Sequence, residues 1–244
     1  MKALVFNIRV NSLYSIRIPF TWQSALTYPI LPPSAVIGML ANALQRYKNN
    51  KHPVEYLELI EDNLLWAGSR LLKPCIIKSY TMSAITKWED AIGGKFTNAL
   101  GRQFAYTELL EISAIFRNDI LIEDIVNAIQ TSPVTCGDSE SLASLDGEVM
   151  VKNVEETPNI EDITTEYPVP FSMDTHIKEG KGQMYLMHER CKKTSESFPL
   201  ILYLVPIEEK NGIFSKSEIR IEKTADMVYK IQDVGYIVMR AQNR

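Results

Sequence analysis

Residues 28–44 read YPILPPSAVIGMLANAL, three prolines ahead of an apolar run at helical spacing. Pro29, Pro32 and Pro33 each fix φ, lack an amide donor and hold the preceding residue extended. Residues 28–32 are therefore expected to form a stiff arm. Ser34 is a candidate N-cap; the alternative is that Pro33 and Ser34 share the first turn. Val36, Ile37, Leu40, Ala41 and Leu44 then fall on one face, which predicts a helix over about 34–47. Gly38 sits inside it at roughly 1 kcal/mol relative to Ala. That cost points to close approach of a backbone or a ligand; the plainer reading is a packed helix with some slack.

Outward from this helix, Leu4, Phe6, Ile8 and Val10 alternate with Val5, Asn7 and Arg9, which predicts a strand over 3–10. Residues 54–66 read as a second helical segment, with Val54, Leu57, Ile60 and Leu64 on one face. Residues 70–82 and 104–116 read as strands. Asp119 is placed to cap a helix lined by Ile122, Ile125, Val126 and Ile129, and Pro133 ends it. A strand over about 143–154 follows. The succession strand, helix, strand, strand, helix, strand is that of the split βαβ, or ferredoxin-like, motif, whose sheet also underlies RRM domains. The fold class expected is α+β: a ferredoxin-like (RRM-like) unit over 1–154, an acidic linker over 155–167 and a smaller β-rich part over 168–244. A fold of this kind does not by itself imply RNA binding.

Composition narrows the chemistry. In 244 residues, 45% are apolar, enough for a sizeable core, and no run of about 18 apolar residues predicts a membrane helix. The opening MKALVFNIRV does not read as a signal peptide. Cys75, Cys136 and Cys191 are odd in number and widely spaced, as in a reducing cytoplasm, and form neither a disulfide framework nor a zinc pattern. No cofactor is expected. The net charge of −4 is unusual for a protein that binds nucleic acid alone. It is unevenly spread: an acidic run from Glu155 to Asp174 precedes Lys178, Lys181, Arg190, Lys192 and Lys193. A basic ligand surface is one reading of that run and ordinary solvated faces the other.

Two groups of residues carry candidate chemistry. In the loop TKWEDAIGGKFTNALGR, Lys87, Trp88, Lys95, Phe96 and Arg102 interleave cations with rings. Rings stack bases and cations follow phosphates, as single-strand binding requires; a flexible hairpin is the structural alternative. Gly93-Gly94-Lys95 is a weak phosphate-cradle signal. Separately, Tyr185, His188 and Lys178, near Lys181 and His176, could supply a base, an acid and a charge stabiliser for metal-independent RNA cleavage. They read equally as ordinary surface residues. His52, His176 and His188 have no partner at metal-ligand spacing.

The stretch SALTYPILPPSAVIGMLANAL, with Pro29, Pro32, Pro33, Ser34 and Gly38 in order, resembles the amino-terminal signature of the family-five Cas proteins of CRISPR interference complexes, within the RAMP superfamily. GDSESL at 137–142 is similar to a segment that precedes the family's fourth strand. The matches cover roughly the first 150 residues. The resemblance implies a non-catalytic, cytoplasmic RNA-binding subunit of a type I Cascade complex in antiviral defence, nearest the archaeal I-A branch. In such a complex the sheet and a hairpin thumb, at about 83–103 here, hold the 5′ handle of crRNA. Ser34 and Gly38 would help seat the handle, and a family-seven backbone subunit and the large subunit would dock alongside. The alternatives are a repeat-RNA endoribonuclease using Tyr185, His188 and Lys178, and a ferredoxin-like interaction module without RNA contact.

Overall fold

A computed structural model describes residues 1–21, 24–84, 98–137, 141–157, 162–191 and 200–240. In chain order the elements are β1 (Lys2–Val10), β2 (Ser24–Ala25), α1 (Pro33–Lys48), α2 (Pro53–Asn63), β3 (Leu64–Leu71), β4 (Cys75–Ala84), β5 (Asn98–Thr107), β6 (Leu109–Phe116), α3 (Ile122–Thr131), β7 (Val134–Thr135) and β8 (Leu142–Glu156). There follow β9 (Ile163–Thr165), β10 (Val169–Pro170), β11 (His176–Gly180), β12 (Gln183–His188), β13 (Leu200–Val205), β14 (Ile207–Lys210), β15 (Ile213–Lys216), β16 (Ile219–Lys223), β17 (Met227–Ile231) and β18 (Gly235–Met239). The chain is an α+β protein dominated by strands. No described helix is long and apolar enough to cross a membrane.

The central sheet has the order β18-β17-β8-β1-β6-β3, with β7 beside β8. All its pairs are antiparallel. The alternation of β1 sends Leu4, Phe6, Ile8 and Val10 to the helices, where they share a core with Val36, Ile37, Leu40, Leu44 and Ile125. Its other face is covered as well. Ala3 and Val5 pack with Trp66, Ile115, Tyr167, Ile231, Ile237 and Met239. The expected acidic linker takes part in this packing: Glu155 and Glu156 close β8, and Tyr167 is buried. Tyr167 lies edge-on to Trp66 and under the Arg70 guanidinium. It donates to Glu111, which also holds Arg70. Arg70 reaches on to Glu166 at 2.9 Å.

Four local expectations are corrected. The N-cap of α1 is Pro32 with Pro33 in the first turn, and Ser34 caps nothing; of the two starts read from sequence, the proline start is the one formed. Helix α2 begins at a His52 capping box with Glu55 and stops at Asn63. Leu64–Trp66 therefore belong to a strand, because LLWAGSRL is buried on both faces and so has no alternation to read. The 70–82 strand is two, the end of β3 and all of β4, and the 104–116 strand is likewise β5 and β6, broken at Glu108. Leu121, not Asp119, precedes α3, and no side chain caps it.

The proline arm is interior. Tyr28, Ile30 and Leu31 are buried, as are Pro29, Pro32 and Pro33. Its polar groups are met from inside: Tyr14 Oη donates to the Pro29 carbonyl at 2.7 Å, and the Tyr28 hydroxyl donates to the Leu186 carbonyl.

Candidate nucleic-acid interface

Strands β4 and β5 pair over ten residues, from Cys75 opposite Thr107 to Ala84 opposite Asn98. Side chains alternate between the two faces of such a ladder. One face carries Cys75, Ala105 and Thr107, all fully buried. The other presents three cross-strand rows: Ile76 with Tyr106, Lys78 with Phe104 and Tyr80 with Arg102. Ile76, Tyr106 and Tyr80 are 40%, 44% and 50% exposed. These six residues comprise three rings, two cations and one aliphatic, with no carboxylate. Tyr80 and Phe104 meet edge to face at 5.7 Å, and the Arg102 guanidinium lies 4.9 Å above the Phe104 ring. Lys78 makes no ion pair among the described residues.

The surrounding chain fixes this face in place. Tyr14 and Ala105 exchange backbone hydrogen bonds at 3.0 and 2.8 Å. Ser24 and Ala25 run parallel to Gly101 and Arg102, and Arg102 Nε donates to Ser15 Oγ at 3.0 Å. Burial raises the Tyr14 phenol well above its usual range and pushes the neighbouring Cys75 thiol up to about 11, so both stay protonated at neutral pH. On the opposite edge β15 pairs with β4, setting Ile213 beside Ile76, and β14 sets Lys210 beside Ile213. The outward surface is thus a five-stranded sheet face built from both ends of the sequence. Rings on a fixed backbone offer stacking platforms of any base identity, and the cations between them suit a phosphate chain.

Of the loop residues read from sequence, Arg102 is on this face; Lys87, Trp88, Lys95 and Phe96 lie outside the described residues. Lys78, Tyr80, Phe104 and Tyr106 were missed. Their signal was available as a two-residue period, with ring or cation at 78 and 80 answered by ring or cation at 102, 104 and 106.

Ser34 and Gly38 are elsewhere. They line a cleft of about 460 Å³ with Ile16, Asn42, Arg46, Thr135, Gly137 and Cys191. A Cβ added at Gly38 meets nothing within 4 Å. Among the described residues the glycine therefore serves no close packing. Arg46 is exposed and has no carboxylate partner among the described residues. Cys191 Sγ donates to the Ser34 carbonyl at 3.1 Å, and burial beside Glu61 pushes its pKa up to about 12.

The runner-up catalytic trio is not brought together. Lys178 is on β11, in the sheet β11-β16-β9, and pairs with Asp162 at 3.4 Å. Tyr185 and His188 are on β12 in another sheet, and a spacing of three puts them on opposite faces of the strand. Tyr185 donates to Gln183 Oε1 at 2.7 Å, and its pKa is raised by burial. Of the basic run, Lys181 and Arg190 are likewise engaged, and Lys192 and Lys193 lie outside the described residues. Lys181 pairs with Glu208, and Arg190 donates to the carbonyls of Glu61 in α2 and of Leu64 and Leu65 at the start of β3. Among the described residues no three His, Cys, Asp or Glu side chains cluster as metal ligands.

The RRM-like expectation for the central sheet meets a covered surface. Its face away from the helices lies under the carboxy-terminal strands at Ala3, Val5 and Ile115. Where that face emerges, Arg9 is held by Glu108 and Asp146.

Residues 7–110 match the family model described as CRISPR-associated protein (Cas_Cas5). The chain as a whole is also similar to solved structures. It is similar in fold to a CRISPR protein from Archaeoglobus fulgidus seen in a crystal structure, with 18% identity and a TM-score of 0.64 over 99% of this chain and 100% of that one. A chain in the cryo-EM structure of the Type III-B Cmr-beta bound to cognate target RNA and AMPPnP aligns with 13% identity and a TM-score of 0.52, covering 88% of this chain and 86% of that one. No curated protein sequence matches.

Proposed function

We propose that this protein is an RNA-binding subunit of a CRISPR effector complex, of type I and nearest the I-A branch. In this reading it holds the 5′ handle of crRNA while a family-seven backbone subunit and the large subunit dock against it. The observation that carries the reading is the outward face of the β4–β5 hairpin, with Lys78, Tyr80, Arg102, Phe104 and Tyr106 in register on a chain whose residues 7–110 match the Cas5 family model. The hairpin corresponds to the thumb, and β8-β1-β6-β3 with α1 and α3 is read as the ferredoxin-like unit. The role is taken as non-catalytic, since Lys178, Tyr185 and His188 sit on separate sheets and faces.

The test is binding of the purified full chain to a labelled single-stranded RNA of the CRISPR repeat, with the same RNA annealed to its complement as control. Binding of the single strand that weakens with salt supports the reading. Equal affinity for the duplex, or no binding alone and no effect of this subunit on assembly of the complex around crRNA, sinks it.

A further inference from the structure

Residues 17–18 lie back against residues 26–27, with Arg17 bridged to Thr27 and the Ile18 amide donating to the Leu26 carbonyl at 2.9 Å. At the near end of this loop Pro19 and Phe20 form a turn, and Phe20 has φ 64. A proline followed by a residue at positive φ is the type II pattern, and its second central position normally takes Gly or Asn. Here it holds a phenylalanine that is 72% exposed. The turn is fastened on both sides: Thr21 Oγ1 donates to the Ile18 carbonyl at 2.9 Å, and the Arg17 guanidinium donates to the Thr21 carbonyl. Two unfavourable choices, a side chain at a glycine position and a large ring in solvent, thus coincide in a well-tied turn. The same loop supplies Ser24 and Ala25 to the edge of the sheet at Gly101 and Arg102, so the ring is carried by a loop bordering the cation-and-ring face.

We propose that Phe20 is a base-stacking residue, placed to take an unpaired nucleobase of the strand that the hairpin face holds. This rests on the RNA-binding reading above. A π-face on a fixed backbone accepts any base, and the adjoining face already alternates rings with cations along the same sheet. The test uses the full chain and single-stranded oligoribonucleotides carrying 2-aminopurine at successive positions, with wild type, Phe20→Ala, Phe20→Tyr and Phe20→Gly. Wild type is expected to quench the probe at one or two adjacent positions. Phe20→Ala loses that quenching and binds roughly 5- to 150-fold more weakly, with its salt dependence unchanged; Phe20→Tyr retains both. Phe20→Gly also loses quenching while melting no lower than wild type, because the turn suits glycine, so the loss is not misfolding. If wild type binds and Phe20→Ala matches it in affinity and quenching, the proposal fails while the RNA-binding reading stands. Unchanged RNA binding with failed assembly of the complex assigns Phe20 to a protein contact instead. No binding by wild type removes both readings.

Discussion

Ser69 grips Leu31 by both sides of its backbone: its hydroxyl donates to the Leu31 carbonyl and accepts from the Leu31 amide, each at 2.9 Å. Both residues are fully buried. One side chain thus satisfies two main-chain groups of the proline arm that no regular element could reach.

Ser69→Ala should therefore destabilise the fold by roughly 1–3 kcal/mol for each buried group left unsatisfied. Urea denaturation measures it. A cost below about 0.5 kcal/mol, within the range of ordinary surface substitutions, would mean that another partner replaces the hydroxyl.

On the hairpin face, charge and stacking should separate. Lys78→Ala combined with Arg102→Ala should lower RNA affinity and reduce the salt slope by about 1.4, the value for two phosphate contacts on a single strand. Tyr80→Ala should cost about 1–3 kcal/mol with the slope retained. Binding titrations at several salt concentrations distinguish them, and an unchanged affinity in both variants would place the RNA elsewhere.

Gly38 faces an open cleft, so Gly38→Ala should raise stability by about 1 kcal/mol through helix propensity alone. Thermal melting reads this. Gly38→Leu projects into the cleft beside Arg46; normal melting with failed assembly would identify the cleft as a seat for RNA or another subunit.

Stability should fall on the alkaline side. Tyr14, Tyr167 and Tyr203 have phenols raised well above their usual value of 10, chiefly by burial. Between the unfolded and folded pKa of each, the folded chain holds the extra proton, so stability is lost as pH rises beyond about 10, at about 1.4 kcal/mol per pH unit per group. Cys75 starts the decline earlier, near pH 9, its thiol being pushed up to about 11. Denaturation midpoints that stay level from pH 8 to 11 would contradict this.

Repeat RNA incubated with the full chain in EDTA should remain intact. Specific cleavage abolished by His188→Ala would restore the endoribonuclease reading despite the separation of Lys178 from β12.

The parts of the fold legible in the sequence were those whose apolar residues kept an alternating or helical period. Leu4, Phe6, Ile8 and Val10 announced β1, and Val36, Ile37, Leu40 and Leu44 announced α1. Strand β3 was hidden because both its faces are interior, so Leu64, Leu65 and Trp66 extended the apparent pattern of α2. Tyr167 was hidden by its acidic neighbours, since no local pattern reports a hydrogen bond to Glu111 from 56 residues away. The site was half legible. Cations and rings were noticed around Arg102, but Tyr80, Phe104 and Tyr106 become one surface only when the register of β4 on β5 is known.

That register has a partner supplied very late. Strand β4 is flanked by β15, through Ile76 with Ile213, and β8 by β17, through Val154 with Ile231. On the ribosome the hairpin emerges long before the strands that border it. Until residues 213–231 have been made, β4 and β8 each present an unpaired edge, the kind of template on which chains mispair. Such distant pairings also slow folding. The architecture that gives this surface contributions from both halves of the chain thus makes the nascent protein a natural client for chaperones, and makes early translational arrest a route to aggregation rather than to a working fragment.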